Sequence, residues 1–406
     1  MDTPRAVVIG GGIGGLTAAA ALHQQGWDVT VLERATALTP VGAGIGLAPN
    51  SQRALDVIGL GDRVRSLAAW QGDGGLRTPD GRWLNRLSST ATAERFGGSM
   101  VLLHRATLVD ILVSALPEGS VRTGSPSTLT DAGDDHRRAV VTTPDGTVEA
   151  DLVVAADGIN SAVRRALFPA HPGPRYSGYT TWRIVAPAPE RPFAAHETWG
   201  RGALWGTHPL KDGRIYAYGA ALTPAGGRAP DDEKAELLRR FGDWHDPIPA
   251  IIAAAEPEAV LRRDVHYMAT PLPAYHRGRV ALVGDAAHAM QPALAQGGNQ
   301  AIEDAIVLAH HAGGGPDVGQ GLAAYTAERL PRTMRIVRQA TKAGRAAMLN
   351  SAAAVAVRDT LVAAVSRFGP GLVLRSFDGI ADWRPPQHTY AAGTAHRGQD
   401  GTGRQR

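Results

Sequence analysis

A chain of 406 residues, 44% hydrophobic and 20% charged, has the length of two or three domain-sized units and enough apolar residues for a large core, which excludes a disordered chain. A formal net charge of only +4, with no basic run carrying interleaved aromatics, argues against nucleic acid as a partner. The absence of cysteine excludes disulfides, thiolate metal sites and a thioether-linked cofactor, and fits a cytoplasmic protein.

The chain opens with no visible signal peptide and runs straight into "RAVVI" (5–9), a short buried strand. A helix at 14–25 and the strand "DVTVL" (28–32) complete a βαβ opening. "RATLVDILVSAL" (105–116) has helical apolar spacing, and 138–158 reads as a hairpin turning at Asp145-Gly146, then a strand ending at Asp157. From 176 to 222, segments rich in Tyr, Trp and Thr predict an antiparallel sheet lined by aromatic side chains. A helix follows at 232–241, then a strand, turn and helix through "GRVALVGD" and "GNQAIEDAIVLAHHA", then long helices over 319–375. "AAMLNSAAAVAV" (346–357) is too short to span a bilayer, which needs about 20 residues, and predicts a buried or amphipathic helix. The Gly-rich polar tail from Pro385 is expected to be flexible.

"GGGIGG" (10–15) contains G-x-G-x-x-G as Gly10, Gly12 and Gly15, with Ile13 and Gly14 between them. Gly10 permits a tight turn, Gly12 lets the backbone approach a pyrophosphate, and Gly15 lets the helix pack on the strand. Glu33 ends the second strand, where a carboxylate binds ribose hydroxyls. The motif alone fits NAD or FAD. Two further segments, "LVVAADGINSAVR" (152–164) and "VALVGDAAHAMQPALAQGGNQAIEDA", each run a strand into an aspartate and a turn before a helix. Together the three segments resemble the fingerprints of class A FAD-dependent monooxygenases of the p-hydroxybenzoate hydroxylase fold. "YSGYTTWR" and "QPALAQGGNQAIEDA" bring the chain nearer the salicylate hydroxylase, urate hydroxylase and zeaxanthin epoxidase branch. A flavin-dependent halogenase does not fit, because the W-x-W-x-I-P motif is missing and no lysine precedes Lys211.

The resemblance implies an α/β protein: a Rossmann-like FAD-binding domain interleaved with a mainly antiparallel β-sheet substrate domain, followed by C-terminal helices. The FAD-binding domain would be discontinuous, over 1–75, 100–175 and 265–350. Residues 76–99 and 176–264 would form the substrate domain, 351–384 a helical region and 385–406 the tail. FAD would be held non-covalently by Gly10, Gly12, Ile13, Gly14, Gly15 and Glu33, with Arg34 beside the adenine. Ala43 and Gly44 would lie near the flavin ring, and Arg105 would reach the pyrophosphate and ribityl region. Asp157 would support the pyrophosphate region, Asp285 would accept from the ribityl hydroxyls, and Gly297, Gly298 and Asn299 would meet the flavin N1/O2 edge. Where the family usually has Pro-x-x-Gly, "PALA" places Ala295 at the glycine.

The same resemblance implies NAD(P)H as a transient co-substrate and O2 as oxidant. A flavin C4a-hydroperoxide would insert one oxygen atom into an aromatic or other electron-rich small molecule. Pro292 would close one side of the pocket, and Arg183, Trp205, His208, Tyr216 and Tyr218 are candidates to line it. No residue stands out as catalytic acid or base, no metal is expected and no transmembrane segment is seen, and the oligomeric state is not legible. Epoxidation or oxidative rearrangement in secondary metabolism stays open, as does a flavin-binding sensor or ligand-sequestering protein without turnover.

Overall fold

The structure, a computed structural model, describes residues 3–38, 44–69, 73–189, 193–313, 315, 318–368, 375 and 377–386. The flexible tail expected from residue 385 therefore falls, from 387 on, outside the described residues, and so does Ala43.

The β-branched opening strand Arg5–Ile9 lies in a six-stranded sheet ordered His276–Arg277, Val280–Leu282, Leu152–Ala155, Arg5–Ile9, Asp28–Leu32, Val121–Arg122. All pairs are parallel except the edge pair His276–Arg277 with Val280–Leu282. The strand connections diverge between Arg5–Ile9 and Leu152–Ala155, which is the topological switch point where open α/β sheets bind ligands. Helix Ile13–Gln24 buries Ala18 to Leu22 all round, because it is pressed between this sheet and helix Gly297–Ala312. A Cβ on Gly14 would stand 3.2 Å from the Ala301 Cβ, so the two helices nearly touch.

The second layer is a seven-stranded sheet ordered Leu261–Tyr267, Arg175–Pro187, Arg214–Leu222, Ala203–Pro209, His196–Trp199, Gly74–Arg77, Trp83–Leu87. Every pair is antiparallel except His196–Trp199 with Gly74–Arg77. Helices Glu233–Phe241 and Ile248–Ala254 cover one face through Trp182, Ile184, Trp205, Phe241 and Ile251. The other face turns toward the six-stranded sheet. The pair Gly44–Leu47 with Val101–His104 links the layers, since Gly44 lies on the Tyr216 ring and Ile45 against Gly298.

The predicted helix over 346–357 is two helix ends. Helix Gly319–Ala347 stops, Ser351 accepts from the Ala354 N–H at 3.1 Å, and helix Ala352–Phe368 starts at an angle of 116° to the first. Arg358 turns back to the carbonyls of Gly200 and Ala347, which leaves Val357 and Leu361 about 60% exposed. No single helix among the described residues is long and apolar enough to cross a membrane.

Beneath the switch point lies a buried charge network. Arg329 donates to Glu303 at 2.6 Å and to Asp304 at 2.7 Å, and all three side chains are fully buried. Arg332 also donates to Glu303. Burial alone would push the Asp304 carboxyl up; the His288 ring and the Arg329 guanidinium outweigh it and hold it at about 2. A folded-state pKa below the ordinary 3.8 stabilises the fold above that value, and the contribution is lost as pH falls through about 2. Replacing Arg329 with Met leaves two buried carboxylates short of their cation, which should cost about 3–5 kcal/mol. Guanidinium unfolding at pH 7 measures the loss, and the acid limb of stability should flatten in the variant. A loss below about 1 kcal/mol would mean that the network contributes no net stability.

The turn before helix Gly297–Ala312 holds Ala295 at φ +51°, the only described non-glycine residue with a left-handed backbone. Left-handed backbone costs an L-residue about 1–2 kcal/mol, more for a β-branched side chain. Ala295→Val should therefore lower stability by at least about 1 kcal/mol, while Ala295→Gly should stay within about 1 kcal/mol of the parent. Thermal unfolding of the two variants side by side distinguishes them; equal behaviour would contradict the strained turn.

Candidate active site

The first fingerprint forms the predicted turn. Gly10 sits at φ +108°, and a Cβ on Gly15 would stand 2.1 Å from the Gly10 carbonyl oxygen, so the helix packs as closely as glycine allows. Gly12 caps helix Ile13–Gln24 without a side-chain partner, and nothing lies within 4 Å of where its Cβ would stand. Open space beside unpaired helix N–H groups is the geometry a pyrophosphate needs. Glu33 accepts from the Gly11 and Ala35 N–H groups, both at 2.8 Å, so it clamps the turn and keeps lone pairs free for ribose hydroxyls. Arg34 is exposed beside it.

At the third fingerprint, Asp285 is exposed although residues 281–284 and 286–290 are all buried. Its Oδ1 lies 4.0 Å from the Cβ position of Gly297, at the uncapped N-terminus of helix Gly297–Ala312. Gly298 packs on Ile45, and Pro292 is exposed at the start of a short 3₁₀ turn. Arg105 opens helix Arg105–Val113 and is solvent-accessible, yet desolvation by surrounding protein lowers its pKa, with Asp285 opposing and Arg183 adding to the shift. The guanidinium is thus within electrostatic reach of both residues. A carboxylate, guanidinium groups and two uncapped helix N-termini along one cleft fit the sugar, pyrophosphate and ring-edge groups of FAD.

Two predicted residues also have partners within the protein. The Asn299 amide bonds the Ala48 N–H, Ser51, the Gly46 carbonyl and the Ala295 carbonyl, so only its backbone can face a cofactor. Asp157 Oδ2 accepts from the N–H groups of Ala162 and Val163 and so caps the next helix, while its buried Oδ1 has no partner.

Across the cleft, cross-strand register decides which side chains share a face. Arg183 stands opposite Tyr218, Tyr218 opposite Gly206, and Gly206 opposite Glu197. Tyr216 stands opposite His208, two positions along. These residues share the inner face, with the His208 ring stacked 5.7 Å from Tyr218 and 6.5 Å from Tyr216. Trp205 does not join them. It is three positions from His208 on one strand, so alternation sends it to the opposite face, where it is fully buried against Phe241 and donates to Thr207. Trp205 therefore does not line the pocket with the other candidates, as the alternation along its strand dictates.

The sequence reading missed Glu197. Its carboxylate accepts from the Tyr218 hydroxyl and, at 2.9 Å, from Trp199 Nε1. The one sequence signal was Gly206 inside a strand, a mark of close approach by another group. Burial lowers the His208 pKa to about 4, with His196 adding, and burial raises Tyr218 well above its ordinary value. Near neutral pH the histidine is therefore uncharged and the tyrosine keeps its proton.

Residues 3–340 match the family model described as FAD binding domain. The chain is 36% identical over 363 residues to aurachin C monooxygenase/isomerase of Stigmatella aurantiaca, covering 89% of this chain and 94% of that protein. It is 33% identical over 350 residues to FAD-dependent urate hydroxylase of Klebsiella pneumoniae, covering 83% and 89%. The structure of Klebsiella pneumoniae HpxO complexed with FAD and uric acid superposes with a TM-score of 0.83 at 29% identity, over 92% of this chain and 97% of that one. Fold, cleft and similarity agree: the chain belongs to the FAD binding domain family, among its FAD-dependent class A monooxygenases.

Proposed function

We propose that the protein inserts one oxygen atom of O2 into an electron-rich aromatic small molecule held between FAD and the inner face of the seven-stranded sheet, consuming NAD(P)H. The observation that carries this reading is the contact of Gly44 with the Tyr216 ring, because it brings the aromatic face of the sheet against the loop beside the Gly297 helix terminus. Bound FAD supplies the redox chemistry that activates O2. The residues of the chain bind, orient and exclude water. Asp285 would accept from ribityl hydroxyls, Arg105 would offset pyrophosphate charge, and the unpaired N–H groups at Gly297 to Asn299 would stabilise negative charge on the ring edge. Tyr216, Tyr218 and His208 form an uncharged aromatic wall that orients the acceptor and keeps water away.

In this reading the FAD-binding domain runs over 1–73, 100–174 and 268–350, the boundaries moved from 75, 175 and 265 because strands Gly74–Arg77, Arg175–Pro187 and Leu261–Tyr267 belong to the sheet of the substrate domain. NAD(P)H docks transiently and the enzyme works in the cytoplasm, where that reductant is supplied. Oxidative rearrangement of a secondary metabolite is the second reading, favoured by the likeness to a protein named a monooxygenase/isomerase.

Asp285→Ala should weaken FAD binding by about 1.5–3 kcal/mol, the worth of a hydrogen bond to a charged group, in a fluorescence titration of the apoprotein. Unchanged affinity would remove Asp285 from the cofactor site. Turnover under labelled dioxygen should place one labelled atom in the product, with NAD(P)H oxidation rising when the acceptor is added. A ligand that binds tightly, stays unoxygenated and does not stimulate NAD(P)H use would instead establish the sensor.

A further inference from the structure

One rung of the seven-stranded sheet is polarised end to end. Arg183, Tyr218, Gly206 and Glu197 are successive cross-strand partners on the inner face. Arg183, the cationic end of the rung, acts electrostatically on Arg105 and on Tyr216, whose ring lies against Gly44. A Cβ on Gly206 would stand 2.2 Å from Tyr218 Cζ, so the tyrosine lies across the glycine and its hydroxyl reaches Glu197 Oε1. The Tyr216 and Tyr218 rings are 5.7 Å apart, which puts Glu197 one tyrosine further from the Gly44 loop than Tyr216.

The surroundings of Glu197 are unusual in this fold. The fully or nearly fully buried acids Glu303, Asp304 and Asp151 each face an arginine. Among the described residues the Glu197 carboxylate has only two neutral donors, Tyr218 and Trp199, and no cation. Burial pushes its carboxyl up, with those two donors opposing. A carboxylate set into a protein without a counter-charge is costly. Ionised, it offers about four lone-pair sites, and its two protein donors leave it able to accept further hydrogen bonds. The strand position of Glu197 puts it on the same face of the sheet as Tyr218 and Arg183.

We propose that Glu197 is a specificity-determining residue of the pocket: it selects an electron-rich aromatic acceptor that presents an O–H or N–H donor at the end remote from FAD, and it rejects a ring with a carboxylate there. The proposal rests on the monooxygenase reading for the location of the pocket. A ring hydroxyl or ring N–H supplies the missing donor, whereas a second carboxylate adds like charge and leaves lone pairs facing lone pairs.

The test uses the FAD-loaded enzyme and a matched pair of probes, 2-naphthol and 2-naphthoate, read by perturbation of the flavin absorbance. The parent should bind 2-naphthol at least about tenfold more tightly (~1.4 kcal/mol). Glu197→Gln, which keeps shape and removes charge, should bring the ratio to within about threefold of one. A merely structural role would weaken both probes together and leave the ratio alone. Tyr218→Phe frees one lone pair on Glu197 and should preserve the preference for the naphthol. Equal binding of the two probes by the parent, no binding of 2-naphthol, an unchanged ratio in Glu197→Gln, or a preference lost only in Tyr218→Phe would each overturn the proposal. Oxygen transfer is read separately from these ratios. A ratio that moves as expected in an enzyme that never oxygenates an acceptor would sink the monooxygenase reading and leave the selectivity of Glu197 standing.

Discussion

The cofactor cleft depends on a charge network buried under it. Asp304 accepts from Arg329 on one oxygen, and from the Gly284 N–H and the His288 ring on the other. Gly284 immediately precedes Asp285, so this bond fixes the turn that presents the exposed carboxylate. Neighbouring Glu303 takes Arg329, Arg332 and Asn50, joining helix Gly297–Ala312 to helix Gly319–Ala347 and to helix Pro49–Val57. Asn299, in the first turn of the same helix, holds Ala48 and the Gly46 carbonyl. The helix terminus and the two loops around it are thus fixed by groups that point away from the cleft. An apolar core could bury the same area, but it would not set the terminus and the Asp285 turn by directional bonds.

The opposite wall is specified by a different constraint. A strand side chain reaches one face or the other, and which residues meet across strands depends on register. The inner face takes Arg183, Tyr216, Tyr218, His208 and Glu197, while the outer face takes Trp182, Ile184 and Trp205 and buries them under two helices. Slipping one strand by a residue would exchange a polar aromatic wall for an indole core. The helices on the outer face therefore hold the inner face in register as well as sealing the sheet.

These two kinds of specification explain what was legible in the sequence. The cofactor half is local: Gly10, Gly12 and Gly15 form the tight turn and close helix packing that their spacing predicts, and the strand, aspartate and helix start around Asp285 and Gly297 are visible in one short segment. Side-chain partners are not local, so no short window shows that the Asn299 amide is committed to four protein groups and that its backbone alone is left for a cofactor. The substrate half depends on register between strands that are far apart in the chain. Glu197 joins Tyr218 only through Gly206 on a third strand, and no short window shows that. The break at Ser351 was hidden because an alanine-rich run reads as one helix, whereas Arg358 folding back on Gly200 requires two.

The network and the rung also use polar groups in opposite ways. Under the cleft, the charged groups Arg329, Arg332, Glu303 and Asp304 meet opposite charges, although Asn50 Oδ1 and His288 Nδ1 beside them are buried without a partner. In the pocket, polar atoms are left under-partnered: the Nδ1 of His208 is buried without a bond, and Glu197 has donors but no cation. Both arrangements bury polar groups, but the rung sets its under-partnered carboxylate on the same sheet face as Arg183 and Tyr218. A change in acceptor preference can therefore be confined to the rung, because none of its residues supports Asp285 or the Gly297 terminus. Selectivity and cofactor affinity are then separable properties of one cleft, set by two layers that meet at the contact of Gly44 with Tyr216.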